Sequence, residues 1–228
     1  MISKIDERTA PLFGEGGLEK LIGKKVVVFG LGGVGGTCFE ALLRTGVSPL
    51  FGVDFDIVEE SNLNRQILFT QNDIGRKKSE AAFERAKSIR PNSEVTTLDM
   101  KIDASSLDSE TFLDAAIWID AVDDILAKVA LISKAREKNI PLIVSLGMGN
   151  RLDPSAVCQT KLDKTSGDPL AKKLRKMLRE RGIPLKGVEV VSSKELPIVR
   201  GSKPSSAMMV PSSAGLSLAM MAIKKLLK

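Results

Sequence analysis

A short glycine-rich stretch that follows an apolar run constrains this chain more than any other feature. Residues 26–36 read VVVFGLGGVGG, in which Gly30, Gly32 and Gly35 form a G-x-G-x-x-G pattern that also contains Gly33. The apolar run predicts a strand over residues 26–29, and the pattern after the glycines predicts a helix. Glycines at this spacing permit a tight turn and let a phosphate approach the amide groups at a helix N-terminus. The stretch therefore predicts a nucleotide site.

An acidic residue stands at the end of the next apolar segment. Residues 50–53 predict a second strand, and Asp54 follows it directly. A carboxylate in this place can hydrogen-bond the diol of a ribose. NAD and ATP satisfy these features equally well, so the glycines and Asp54 leave the nucleotide open.

The segment after Asp54 separates the two nucleotides. Residues 54–80 read DFDIVEESNLNRQILFTQNDIGRKKSE and contain Asn62, Arg65, Arg76, Lys77 and Lys78. Such a concentration of hydrogen-bond donors, four of them cationic, suits a triphosphate whose α-phosphate is attacked by a nucleophile, because negative charge accumulates on the transferring group. A solvated basic loop is the structural alternative, above all for Arg76 or Lys77 taken singly.

The order of these motifs resembles the ubiquitin-activating-enzyme-like adenylating superfamily, whose members use ATP to activate carboxylates. The shared elements are GxGGxG, DFD, SNLNRQ, a glycine followed closely by a lysine, and Asp123. The resemblance implies that Asp54 holds the ribose, while Arg65 and Lys78 contact the triphosphate and stabilise the transition state. It also assigns to the nucleotide site the residues Gly30, Gly32, Gly33, Gly35, Asp56, Asn62 and Asp123.

Two further roles come from the same resemblance. Asp123 matches an aspartate that positions Mg²⁺ and phosphate, whereas the structural alternative is that Asp123 or Asp124 caps the following helix. Arg8 matches an arginine that dimers of this superfamily lend to the neighbouring subunit's site. The resemblance thus implies ATP and Mg²⁺ as cofactors and a homodimer as the working unit.

The alternation of predicted elements indicates the fold class. Strands are expected at residues 26–29, 50–53, 94–99, 117–122 and 142–146, and helices at residues 38–45, 78–89 and 125–138. This alternation predicts an α/β fold with a doubly wound, mostly parallel sheet of the Rossmann-like, adenylating-enzyme type. We assign residues 1–150 to an ATP-binding domain with an N-terminal segment. Residues 151–228 are expected to form a basic α+β extension packed on the same core.

Composition excludes several kinds of chemistry. The chain has no histidine and only two cysteines, Cys38 and Cys158. Histidine-based triads are therefore ruled out, and a four-cysteine structural zinc site is not expected. The N-terminus has no apolar signal segment, and the apolar residues 214–223 are too few to span a bilayer. A soluble cytoplasmic protein without membrane contact is the expectation.

Charge is unevenly distributed along the chain. Of the 34 basic and 28 acidic residues, residues 151–228 hold 16 basic and only 6 acidic ones. Asp168, Pro169 and Gly182 predict the start and end of a helix there. The cations of this helix are Lys172, Lys173, Arg175, Lys176 and Arg179. A solvated helix face is the alternative, but the scarcity of acids beside an ATP site favours a polyanionic substrate.

Four segments in the second half resemble the tRNA threonylcarbamoyladenosine dehydratase family. They are GMGNRLDPS from Gly147, KTSGDPLAKKLRKMLRERGI from Lys164, VVSSKELP from Val190 and SAMMVPSSAGLSLA from Ser206. The resemblance implies ATP-dependent cyclisation of threonylcarbamoyladenosine beside the anticodon of tRNA, through an activated carboxylate such as an acyl-adenylate. Asp168 stands where some relatives carry a cysteine. Release of AMP or of ADP stays open, as does a ubiquitin-like carrier protein as substrate. More distant alternatives are an NAD-dependent dehydrogenase and a non-catalytic nucleotide-binding module.

Overall fold

The computed structural model describes residues 4–14, 16–199 and 204–228 and contains one seven-stranded sheet. The strands are β1 (Ile22–Phe29), β2 (Ser48–Val53), β3 (Val95–Leu98), β4 (Ile117–Asp120), β5 (Leu142–Ser145), β6 (Val157–Lys161) and β7 (Glu189–Ser193). Their order across the sheet is β3-β2-β1-β4-β5-β7-β6. All neighbours pair in parallel except β6 and β7. The predicted doubly wound, mostly parallel sheet is confirmed.

Helices cover both faces of this sheet. They are α1 (Ala10–Phe13), α2 (Gly33–Thr45), α3 (Lys78–Ile89), α4 (Glu110–Leu113), α5 (Ile125–Glu137), α6 (Pro169–Glu180) and α7 (Met209–Leu226). Apolar residues of α2, α3 and α7 form one core cluster, whereas those of α4, α5 and α6 join two clusters on the opposite face. Parallel strands buried on both faces explain the nearly continuous apolar runs in the sequence.

Residues after 150 complete the same sheet instead of forming a lobe of their own. Strand β7 pairs with β5, and β6 closes the edge by pairing antiparallel to β7. Helix α7 packs along α2, where a Cβ on Gly215 would lie 2.4 Å from the Val34 carbonyl oxygen. This close approach ties the end of the chain to the first helix after the glycine-rich turn. Within the described residues, no helix is long and apolar enough to cross a membrane.

Several predicted boundaries differ from the observed ones. Helix α2 begins at Gly33 rather than at residue 38, and β4 ends at Asp120 rather than at residue 122. Three glycines stand in the first turn of α2 despite their low helix propensity, because the turn packs closely against the neighbouring strand ends. Strand β7 has no counterpart among the predicted elements.

Candidate active site

A cavity of about 1160 Å³ lies at the carboxyl ends of the parallel strands. Residues that follow β1, β2, β4 and β5 line it, among them Gly30, Asp54, Asp123 and Gly147. Strands β1 and β4 are neighbours in the sheet. From β1 the order runs outward to β2 and β3 on one side, and from β4 it runs outward to β5 on the other side, so the strand order reverses between β1 and β4. Ligands of open α/β sheets bind at such a reversal of strand order.

Backbone packing dictates two of the glycines in the turn. Gly30 has φ of +87°, and a Cβ there would lie 2.8 Å from the Ala121 carbonyl oxygen. A Cβ on Gly35 would lie 1.8 Å from the Gly30 carbonyl oxygen. Gly32 and Gly33 line the cavity where α2 begins. The first amide groups of α2 have no partner within the helix and are available to an anion.

Asp54 is a buried carboxylate at the cavity wall. Its Oδ2 accepts from the Leu31 amide at 2.7 Å, and its Oδ1 accepts from the Asp56 amide at 2.9 Å. Burial raises the pKa of Asp54, and the nearby charge of Lys78 opposes that rise. These backbone bonds fix the carboxylate at the end of β2, where a ribose diol can reach it.

Lys78 is the first residue of α3 and is itself buried. Its Nζ donates to Asp56 Oδ2 at 2.8 Å and lies 4.0 Å from Asp54 Oδ1. The Asp56 side chain is half exposed, so the ion pair borders solvent. Lys78 thus stands as a cation on the cavity wall, with a counter-ion that an incoming phosphate could replace.

Two residues of the SNLNRQ segment, Arg65 and Asn62, have different surroundings. Arg65 lines the cavity, and its Nη1 donates to the Ser61 carbonyl and to Asn64 Oδ1. Asn62 is buried, and its side chain accepts from the Glu59 amide at 3.1 Å, which closes the turn that carries Arg65. Asn62 is not among the described residues that line the cavity.

Gln66 is a polar residue of this wall that sequence reasoning missed, although it ends the same motif. It lines the cavity and is buried. Its Oε1 has no hydrogen-bond partner within the described part of the chain. A buried acceptor without a partner costs about 1–3 kcal/mol, which a ligand donor could recover.

The two aspartates after β4, Asp123 and Asp124, have different environments. Asp124 caps α5, because its Oδ1 accepts from the amides of Leu126 and Ala127. Asp123 is exposed on the cavity wall. Among the described residues, no three His, Cys, Asp or Glu side chains are grouped to hold a metal. One carboxylate nevertheless suits Mg²⁺, which usually completes its shell with waters and substrate phosphates.

An ion pair below the cavity was not predicted. Asp120 and Lys128 are fully buried, and Lys128 Nζ donates to Asp120 Oδ1 at 3.0 Å and to the Ser145 carbonyl at 2.7 Å. Burial raises the pKa of Asp120, and Lys128 opposes that rise. The pair joins β4, α5 and β5 beneath the loop that carries Asp123. Their spacing of eight residues gave no signal before the fold was known.

A second buried ion pair, Arg151 and Asp168, lies at the wall of the cavity that follows β5. The sequence did not predict it. Arg151 donates from Nε to the Glu195 carbonyl at 2.9 Å and from Nη1 to the Gly147 and Gly149 carbonyls. Asp168 caps α6 with Oδ1 and accepts from the Gly147 amide with Oδ2. Arg151 Nη2 lies 3.8 Å from Asp168 Oδ2. One guanidinium and one carboxylate thus hold together the loops after β5 and β7 and the start of α6.

The cations expected on α6 fall into two groups. Lys172, Lys173, Lys176 and Arg179 are exposed. Arg175 is half-buried, and its Nη1 donates to the Thr165 carbonyl at 3.1 Å and to the Thr165 hydroxyl. Arg175 therefore fixes the turn before α6, and the exposed cationic face consists of the other four residues.

The remaining basic candidates lie away from the cavity. Arg76 pairs with Asp73 and Glu84, and Lys77 pairs with Asp99. Arg8 is exposed in the segment before α1 and is not among the described residues that line the cavity of its own chain.

Comparisons with known proteins agree with this geometry. The ThiF family model matches residues 6–228. The tRNA threonylcarbamoyladenosine dehydratase of Bacillus subtilis is 37% identical over an alignment that covers 94% of this chain and 91% of that protein.

Two crystal structures extend the comparison to three dimensions. The AMP complex of E. coli tRNA N6-threonylcarbamoyladenosine dehydratase, TcdA, superposes with a TM-score of 0.93 at 33% identity and covers 99% of this chain and 96% of that one. The ATP complex of the same protein gives a TM-score of 0.91 at 34% identity over the same shares. The resemblance inferred from the motifs is confirmed, and this chain belongs to the ThiF family.

Proposed function

We propose that this chain uses ATP to cyclise threonylcarbamoyladenosine in tRNA, next to the anticodon. One observation carries the proposal: the helix with the exposed cationic face begins at the wall of the nucleotide cavity. Pro169 and Leu170 line the cavity, and Lys172, Lys173, Lys176 and Arg179 follow within three turns. A polyanion bound along α6 would therefore present one of its nucleotides to ATP. We also propose a cytoplasmic location for the enzyme, since it would act on tRNA there.

The chemistry requires positioning and charge stabilisation but no protein nucleophile. The threonyl carboxylate attacks the α-phosphate of ATP, and pyrophosphate leaves. The ureido oxygen then attacks the activated carboxyl carbon, AMP leaves with one carboxylate oxygen, and a ureido N–H releases its proton to water as the ring closes. Arg65 and Lys78 stabilise the charge that accumulates on the α-phosphate. The same donors would also serve transfer of the γ-phosphate to the carboxylate, with release of ADP.

Asp123 is the residue that would hold Mg²⁺. It is the carboxylate of its loop that α5 does not use as a cap, and it faces the cavity. The ion, when bound, supplies charge neutralisation at the phosphates. Asp54 would accept the ribose hydroxyls, and the amides of α2 would receive a phosphate.

Arg8 would act in the site of a second subunit. It lies outside its own cavity, and apolar side chains near it and on α7 are exposed, among them Leu12, Leu216 and Met220. Such side chains on two elements favour an interface over plain surface. A homodimer would bury them and bring Arg8 to the partner's triphosphate.

The decisive experiment offers the purified protein three substrates with ATP: tRNA that carries threonylcarbamoyladenosine, the same tRNA without the modification, and a ubiquitin-like carrier protein. We expect nucleotide consumption with the modified tRNA alone, and a digested nucleoside that has lost one water. ATP labelled at the α-phosphate distinguishes AMP from ADP as the leaving nucleotide. Adenylation of the carrier protein, with no change in the tRNA, would replace this proposal with the carrier-protein function.

A further inference from the structure

The cavity has an apolar region at each end and a charged region between them. The first end follows β2 and β3 and includes Val53, Phe55, Met100 and Ile102. The other end, which we call the β5–β7 end, includes Leu146, Met148, Leu170, Leu196 and Pro197. Between them the strand order places the glycine-rich turn, with Arg65 against Gly33, and Asp123, while Lys78 lies beside Asp54 where the charged region meets the first end. One nucleotide needs one apolar pocket and one phosphate site, so the second apolar region is unexplained by ATP alone.

The order of strands sets the separation of the two regions. Strands β2, β1, β4 and β5 are successive neighbours, and adjacent strands lie about 4.8 Å apart. The carboxyl ends of β2 and β5 are therefore roughly 14 Å apart. The whole cavity, about 1160 Å³, exceeds the roughly 300–1,000 Å³ of a pocket for one small ligand.

We infer that the β5–β7 end binds the purine ring of the modified tRNA nucleotide, an inference that rests on the proposed function. An acyl-adenylate formed from this substrate contains two adenines, one from ATP and one from tRNA, joined through a single phosphate. The cavity offers that same sequence of surfaces: apolar, charged, apolar. The adenine of ATP then occupies the end at β2 and β3, beside Asp54.

The β5–β7 end is built to present an apolar and electrically neutral wall. The charged residues that line this end, Arg151 and Asp168, are both buried and oppose each other at 3.8 Å. Their hydrogen bonds to the Gly147 backbone and to the Glu195 carbonyl hold its loops in place. Leu196 lies directly over Gly167, where a Cβ would be 2.4 Å from its Cδ2. A base therefore meets aliphatic surface rather than fixed charge.

The position of α6 connects this pocket to the tRNA backbone. Leu170 belongs to both the pocket and the first turn of α6, and the exposed lysines begin two residues later. Enzymes that act on a base take it out of the stack, and bases in single-stranded loops cost least to extrude. The cations of α6 would bind the backbone phosphates, and Leu170 and Leu196 would contact the extruded base. The helix and the pocket would thus form one continuous binding site.

The test compares three single variants with the wild-type protein. Leu196→Ala shortens a side chain that is 64% exposed, so the fold is expected to persist. Phe55→Ala makes the equivalent change at the other end of the cavity. Leu152→Ala is the matched control, because Leu152 is a leucine of similar exposure, 59%, outside the cavity lining. The measurements are KM for ATP, KM for modified tRNA, and inhibition by the free nucleoside threonylcarbamoyladenosine.

We expect Leu196→Ala to raise KM for modified tRNA and the inhibition constant of the nucleoside by roughly tenfold, the effect of losing two to three methylene contacts. Its KM for ATP should stay at the wild-type value, whereas Phe55→Ala should raise KM for ATP alone. Because the free nucleoside has no phosphate, its inhibition reports on the pocket and not on α6. Leu152→Ala should match the wild type throughout.

Two results would overturn the inference, and they differ from failure of the proposed function. If Leu196→Ala turns over modified tRNA at the wild-type rate with an unchanged KM for tRNA, the β5–β7 end does not bind the purine ring, but the proposed function stands. A rise in KM for ATP in Leu196→Ala assigns this end to ATP instead. If the wild-type protein does not turn over modified tRNA, the proposed function fails, and the inference fails with it.

Discussion

At the scale of single residues, the site is held ready by ion pairs that a substrate can replace. Lys78 is buried yet pairs with Asp56, whose carboxylate borders solvent. A triphosphate that displaces Asp56 gains a cation already fixed at the start of α3 and cleared of most of its water. Electrostatic stabilisation is stronger where water is excluded, and it costs little when the donor is already in place.

The first prediction concerns these donors. Lys78→Ala and Arg65→Ala should each lower kcat for modified tRNA by roughly a hundredfold or more, because removal of one preorganised donor costs that much in comparable sites. Single-turnover rates measure the chemical step directly. Lys77→Ala is the matched control, since Lys77 pairs with Asp99 away from the cavity. A folded Lys78→Ala protein with wild-type turnover would remove Lys78 from the catalytic role.

At the scale of elements, α6 combines two functions on two faces. Ala171, Leu174 and Leu178 are buried against α5, β5 and β7, which leaves the lysines outward. Asp168 satisfies the first amides and Pro169 occupies the first turn, so the helix begins at a fixed residue. This is the order of features that the sequence predicted for the helix. The engagement of Arg175 with Thr165 was not predictable, because it depends on a turn ten residues earlier.

The second prediction separates tRNA contact from a solvated surface. Replacement of Lys172, Lys173, Lys176 and Arg179 by Gln should weaken tRNA binding and flatten its salt dependence, since each phosphate contact contributes about one unit of log–log slope. ATP affinity should stay unchanged. Binding is measured by titration at several salt concentrations.

A charge-matched control accompanies that experiment. Lys4, Lys20, Lys224 and Lys228 are also exposed. Lys20 donates to the Leu227 carbonyl near the end of α7, which packs on the other face of the sheet from α6. Replacing these four lysines by Gln removes the same charge but should keep the slope. Equal flattening in both proteins would show a net-charge effect, and an unchanged slope in the α6 variant would return that face to plain surface.

At the scale of the whole molecule, local sequence patterns predicted most helices and strands, whereas the strand pairing at the sheet edge and the buried ion pairs depend on non-local contacts. The glycine-rich turn and the alternation of strands and helices depend on neighbouring residues, so the family and the fold class could be predicted. The pairing of β7 with β5 joins segments more than forty residues apart. The pairs Asp120–Lys128 and Arg151–Asp168 exist only because the fold brings their loops together. The sequence offers no pattern for such contacts.

The proposed homodimer would build each active site from two chains. Arg8 precedes α1 and is exposed, and exposed apolar side chains lie on the same segment and on α7. In a twofold-symmetric dimer each subunit would lend the same residue to the other, because both partners use the same surface. Each active site would then contain Lys78 from one chain and Arg8 from its partner.

The last prediction follows from this shared site. Arg8→Ala and Lys78→Ala should each be nearly inactive alone. After subunit exchange, a mixed dimer has one site with both residues and one with neither, so random mixing should restore about a quarter of the wild-type activity per protomer. Differently tagged subunits, isolated as mixed dimers, establish that exchange took place. Mixed dimers without activity would mean that Arg8 does not complete the partner's site, whereas restored activity requires that the two chains share it.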